Sequence, residues 1–87
     1  MNEIEITPIA QRKAEKRGIK KEWIEDAIMN PSQVVAGYGS RKVAQKKFSR
    51  ENREYLLRVV YEESGGICTV VTAYITSQIM RYWKEET

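Results

Sequence analysis

The sequence predicts an α+β fold in which two N-terminal helices pack on one face of a four-stranded antiparallel sheet. Three observations predict it. Apolar residues follow helical spacing up to Pro31, alternate with polar residues from Gln33 onward, and the alternating stretches are joined by short loops that suit an antiparallel meander. With 87 residues, 41% of them apolar, the chain reads as a single domain over residues 1–87 with a thin core.

The first helix starts at Thr7-Pro8, where threonine caps and proline takes the first helical position, whose N–H needs no partner. It runs to Arg17, and Gly18 ends it in the left-handed conformation. Its apolar face (Ile9, Ala10, Ala14) is poor, so packing must hold it. The second helix spans about Lys21 to Asn30 and is stopped by Pro31. Trp23, Ile24, Ala27 and Ile28 form its buried stripe, which makes Trp23 a core residue.

Four strands follow. Gln33 to Tyr38 leads through a turn at Gly37 to Ser40 into Arg41 to Phe48, and a polar connection over Ser49 to Arg53 leads into Glu54 to Glu63. Ser64-Gly65-Gly66 then turns the chain into Ile67 to Thr76. The stretch around Ile4 to Ile6 is a candidate edge strand, and Ser77 to Thr87 is either a final helical turn or a tail.

A three-residue loop at Ser64-Gly65-Gly66 pairs Val59 with Val71, Leu57 with Ala73 and Tyr55 with Ile75, giving one apolar face. On the other face Arg58 then lies opposite Thr72, with Tyr74 and Thr76 beside it. A two-residue turn would instead turn Arg58 toward the helices, where a buried guanidinium is costly without a partner. An arginine in mid-strand, flanked by Leu56 and Val60, points to a ligand on that face or to an ion pair with a helix carboxylate. Lys46 and Lys47 are adjacent in a strand and face opposite sides, so at most one joins Arg58.

Net charge is only +3, but its distribution is uneven. Residues 10–21 carry six bases against Glu15, and residues 41–58 carry seven against Glu51 and Glu54. Such blocks form either a polyanion-binding face or simply solvated surface. The chain has no histidine and one cysteine, Cys68, which excludes a Cys/His zinc site and an internal disulfide; no metal and no cofactor are expected. Glu3 and Glu5 stand where a signal peptide would be basic, and no apolar run approaches the roughly 20 residues that cross a bilayer. A cytoplasmic protein without a membrane partner is expected.

The run TPIAQRKAEKRGI, the Asn30-Pro31 stop, LLRVVY, TVVTAY and the closing RYW together resemble a family of small domains allied to the RelE-like and ParE-like toxins of bacterial toxin–antitoxin pairs. The resemblance covers nearly the whole chain. It implies a ribonuclease-like fold, action on messenger RNA with the ribosome as a candidate partner, and a cognate antitoxin protein that holds the domain inactive. Carried over, the family's helix bases fall on Arg12 and Arg17, its strand arginine on Arg58, its Thr and Tyr on Thr72 and Tyr74, and its C-terminal basic-aromatic pair on Arg81 and Tyr82. One position departs: where many relatives have histidine just after Thr-Pro, this chain has Ile9.

Metal-independent RNA cleavage requires deprotonating the 2′-OH, stabilising the phosphorane and protonating the leaving 5′-oxygen. Arg58 suits the second task, since a guanidinium binds two phosphate oxygens and stays charged. Arg81 offers a second contact, Thr72 an orienting hydroxyl, and Tyr74, Tyr82, Lys46 and Lys47 the remaining proton-transfer candidates. Tyr82 and Trp83 could stack on a base or cover the edge of the core. An RNA- or protein-binding module without catalysis is the alternative expectation.

Overall fold

A computed structural model of the chain describes residues 3–85. The expected four-stranded antiparallel sheet is corrected to a five-stranded mixed one with three short helices, in the order β1 (Glu3–Ile6), α1 (Pro8–Lys16), α2 (Lys21–Met29), β2 (Gln33–Ala36), β3 (Lys42–Arg50), β4 (Arg53–Ser64), β5 (Ile67–Thr76), α3 (Ile79–Tyr82). The sheet order is β1-β5-β4-β3-β2, with β1 parallel to β5 and the other pairs antiparallel. The alternation of Glu3, Ile4, Glu5 and Ile6 makes the extra strand possible, because it sends both isoleucines to the core and both carboxylates outward.

Local sequence explains both longer helices. Thr7 Oγ1 accepts from Ala10 N at 3.1 Å, and Pro8 opens α1. Its far end closes with Gly18 N–H on the Glu15 carbonyl and Ile19 N–H on that of Ala14, with Gly18 at φ 69°; this left-handed closure buries Ile19. Lys20 gives α2 no side-chain cap. The core lies between these helices and the sheet: Ala10, Ala14, Ile24 and Ala27 meet Ala44, Leu57, Val59, Tyr61, Cys68, Val70 and Ala73. Trp23 is corrected from core residue to a partly open one, 39% exposed beside fully buried Ile24.

The register between β4 and β5 corrects the expected one. The turn is Gly65-Gly66 alone, two left-handed glycines at φ 58° and 80°, with Ser64 opposite Ile67. Continued unbroken, this register would have turned Arg58 toward the helices. It does not continue, because a bulge between Val60 and Tyr61 leaves Val71 unpaired: Tyr61 faces Val70, but Val60 faces Thr72 and Arg58 faces Tyr74. Arg58 is therefore opposite Tyr74 rather than Thr72, and Leu57 opposite Ile75 rather than Ala73. The bulge also inverts the start of β5, so Cys68 and Val70 join the helix-side core.

The β3–β4 connection is likewise tighter than expected. Arg50 pairs with Arg53, and the turn consists of Glu51 and Asn52, both left-handed at φ 52° and 64°. On the face away from α1 and α2, Val43 and Leu56 are buried without belonging to the helix-side cluster. That face is crossed by the C-terminal segment: α3 is one turn, and Lys84 exchanges hydrogen bonds with the side chain of buried Gln33. No helix among the described residues is long and apolar enough to cross a membrane.

Candidate functional site

Four neighbouring strands place one polar residue each in a row across the face opposite α1 and α2. Gln33 on β2 pairs with Gln45 on β3, Gln45 with Arg58 on β4, and Arg58 with Tyr74 on β5. Their side chains form one hydrogen-bonded ladder. Arg58 Nε donates to Gln45 Oε1 at 2.7 Å, Gln45 Nε2 donates to Gln33 Oε1 at 3.0 Å and to the Tyr82 carbonyl at 3.3 Å, and Gln33 Nε2 donates to the Lys84 carbonyl at 2.6 Å. Arg58 Nη1 donates to the Tyr74 hydroxyl.

The ladder has a direction set by Arg58. A guanidinium has only donors, so Gln45 must present its oxygen to it and its NH2 to Gln33; Gln33 must then present its oxygen to Gln45 and its NH2 to Lys84. At the other end the Tyr74 oxygen is an acceptor, which leaves the phenolic proton to be given elsewhere. Gln45 is 0% exposed and Gln33 7%, and no buried side-chain nitrogen or oxygen among the described residues lacks a partner.

Arg58 has no carboxylate within ion-pair distance among the described residues, so the helix ion pair left open by the sequence is absent there. Its charge sits instead against aromatic rings, with the guanidinium carbon 4.1 Å from the Tyr82 centroid and 5.6 Å from that of Tyr74. Tyr74 and Tyr82 meet edge to face at 6.3 Å. The side chain is half-buried, and Nη2 makes no hydrogen bond to any described residue, so it reaches solvent. On the same face the Lys47 ammonium lies 3.9 Å from the centre of the Trp83 ring.

The other candidates disperse. Thr72 shares the face of Tyr74 but lies near Arg17, whose Nη1 is 3.5 Å from the Thr72 hydroxyl and donates to the Ala73 carbonyl at 2.7 Å. Arg17 thereby satisfies an edge of β5 beyond the end of β1, a structural role. Arg12 is exposed on α1, as is Ile9. Arg81 is exposed, donating to Gln78 Oε1 at 3.2 Å. Lys46 lies on the helix face, 3.5 Å from Asp26 and donating to the Asn30 carbonyl.

Sequence reasoning missed Gln33 and Gln45. Their signal was present: each is a polar residue in a strand at an alternation that otherwise carries Val35 or Val43 on the same face. Residues 6–75 match the model of a family described as a domain of unknown function (DUF4258). The chain belongs to this family. The matched span contains Gln33, Gln45, Arg58 and Tyr74 and ends before the C-terminal segment that covers them. No curated protein and no solved structure matches the chain.

Proposed function

We propose that this member of the family is RNA-directed and acts in the cytoplasm as the toxin of a toxin–antitoxin pair, a metal-independent endoribonuclease with Arg58 as its phosphate contact. The observation that carries the reading is an unpaired guanidinium, braced at Nε and Nη1, open at Nη2, and set among aromatic rings on one sheet face. Cations interleaved with aromatic rings (Arg58 with Tyr74 and Tyr82, Lys47 with Trp83) are what a single strand needs, phosphate attraction plus stacking platforms.

In the cleavage step the 2′-oxygen attacks phosphorus, the P–O5′ bond breaks, and a cyclic phosphate and a 5′-hydroxyl result. Arg58 neutralises the growing phosphorane charge. Tyr74, whose oxygen accepts from Arg58, has its own proton available for the leaving 5′-oxygen. The chain has no histidine to take the 2′-proton, which gives the ribosome its place as the partner that completes the site. The remaining partner is a cognate antitoxin, a small acidic protein complementary to the basic blocks.

A second reading, an RNA- or protein-binding module that does not cleave, is favoured by the same missing base and by two Arg58 donors already being engaged. Induced expression in bacteria separates the two. Growth and translation arrest by the wild type, relieved by Arg58→Ala, is the expected result; no arrest with RNA bound intact in vitro would favour the binding module, and equal arrest by both proteins would remove Arg58 from the mechanism.

A further inference from the structure

On the helix side, at the end of the sheet near the β3–β4 turn, a cleft of about 360 Å³ opens between α2 and β3. One wall is Trp23, which leaves the buried stripe of its helix and stands 39% exposed. Leu57 and Ile75 supply an apolar floor, and Lys46 and Arg50 supply two cations against one carboxylate, Asp26; Lys47 also lines the cleft, but its ammonium lies over the Trp83 ring on the opposite face. That carboxylate is already engaged, with Lys46 at 3.5 Å on one oxygen and Asn30 Nδ2 at 3.1 Å on the other.

Arg50 is held differently from Lys46, which pairs with Asp26. Its guanidinium lies 5.8 and 5.9 Å from the centroids of Phe48 and Tyr55, two rings stacked at 5.6 Å, and no carboxylate among the described residues pairs with it. An apolar cleft lined by an indole and by an unpaired guanidinium suits a planar heterocycle carrying a phosphate. A cleft of this size falls at the lower end of small-ligand sites, which begin at about 300 Å³.

We propose that this cleft is a nucleotide subsite for an RNA strand, with the base against Trp23 and its phosphate on Arg50. The inference rests on the RNA-directed reading above for the identity of the strand, but uses none of the residues of the Arg58 ladder. Lys47 links the two regions, because it lines the cleft while its ammonium reaches Trp83 on the opposite face.

The test uses the full chain with Trp83→Phe, so that Trp23 is the only indole, and follows its fluorescence on titration with adenosine monophosphate, adenosine and hexaadenylate RNA. Saturable quenching is expected in the order hexanucleotide tighter than monophosphate, monophosphate tighter than adenosine. Arg50→Ala, an exposed position, weakens the monophosphate about tenfold, and Arg58→Ala leaves it unchanged. No saturable quenching, or equal binding by Arg50→Ala, overturns the proposal; equal affinity for monophosphate and hexanucleotide overturns its assignment to a strand. A silent Trp23 in a protein whose RNA binding still depends on Arg58 removes the cleft and leaves the Arg58 reading standing. A responsive Trp23 in a protein whose RNA binding ignores Arg58 supports the cleft and removes that reading.

Discussion

The two faces of the sheet are closed by different physics. Toward α1 and α2 the contacts are apolar and non-directional, so that side chains such as Leu57 and Val59 contribute through burial alone. Away from them, a short C-terminal segment is tied down by a polar ladder in which each hydrogen bond fixes the orientation of the next. Stability therefore resides mainly on the first face, and the aiming of one guanidinium on the second. A buried polar network is costly when incomplete, and this one is complete.

The largest expected effect breaks the apolar face. Ile24→Ala, at a 1% exposed position, should cost about 2–5 kcal/mol in urea unfolding, while the fraction that remains folded should bind RNA as the wild type does. A smaller stability loss with a larger functional one is expected from Gln45→Leu. It strands Arg58 Nε and takes the side-chain donor from the Tyr82 carbonyl, while the Gln33 oxygen keeps the Lys84 N–H; the cost is about 1–3 kcal/mol, and RNA affinity should fall with it because Arg58 loses its brace. Adding Arg58→Met to Gln45→Leu should recover part of the stability and none of the affinity, whereas simple additivity would deny the coupling.

Two weaker perturbations sharpen the contrast by touching neither function. Glu51 holds φ 52° in a two-residue turn that favours glycine or asparagine, so Glu51→Gly should raise the urea midpoint by about 1 kcal/mol of stability and leave RNA binding as it was. The alkaline limit should come from outside the ladder. Burial raises the Tyr61 pKa, and a hydrogen bond to Glu63 raises that of Lys42, so in both cases the folded state holds its proton more tightly than the unfolded chain. Their contributions are present below the unfolded values and decline as pH rises past about 10. A melting series from pH 8 to 11 should show that decline, and Lys42→Met should reduce it.

The helices were legible because their ends are written locally: Thr7 caps through its own hydroxyl, and Pro8, Gly18 and Pro31 act through their own backbone. The strands from Gln33 to Thr76 were legible in kind but not in register. Which face Arg58 takes depends on an unpaired Val71, and nothing in the run of β-branched residues at Val70, Val71 and Thr72 marks which of them slips out of pairing. The fifth strand was visible as a short alternation, but its parallel partner, β5, lies some sixty residues away. Trp23 fits a helical stripe by spacing, yet the cleft leaves part of its ring uncovered. Of the candidate site, Arg58, Tyr74 and Tyr82 could be named from the chain, but the glutamines that aim Arg58 could not be placed without the β2–β3–β4 register.

The most direct measurement is the affinity of a fluorescent single-stranded RNA for the wild type, Arg58→Ala and Gln45→Leu across a salt series. Expected are steep salt dependence for the wild type, about tenfold weaker binding and a shallower salt slope for Arg58→Ala, and a loss of intermediate size for Gln45→Leu. Wild-type affinity in Arg58→Ala, or no RNA binding by any of the three, would contradict the role given to Arg58.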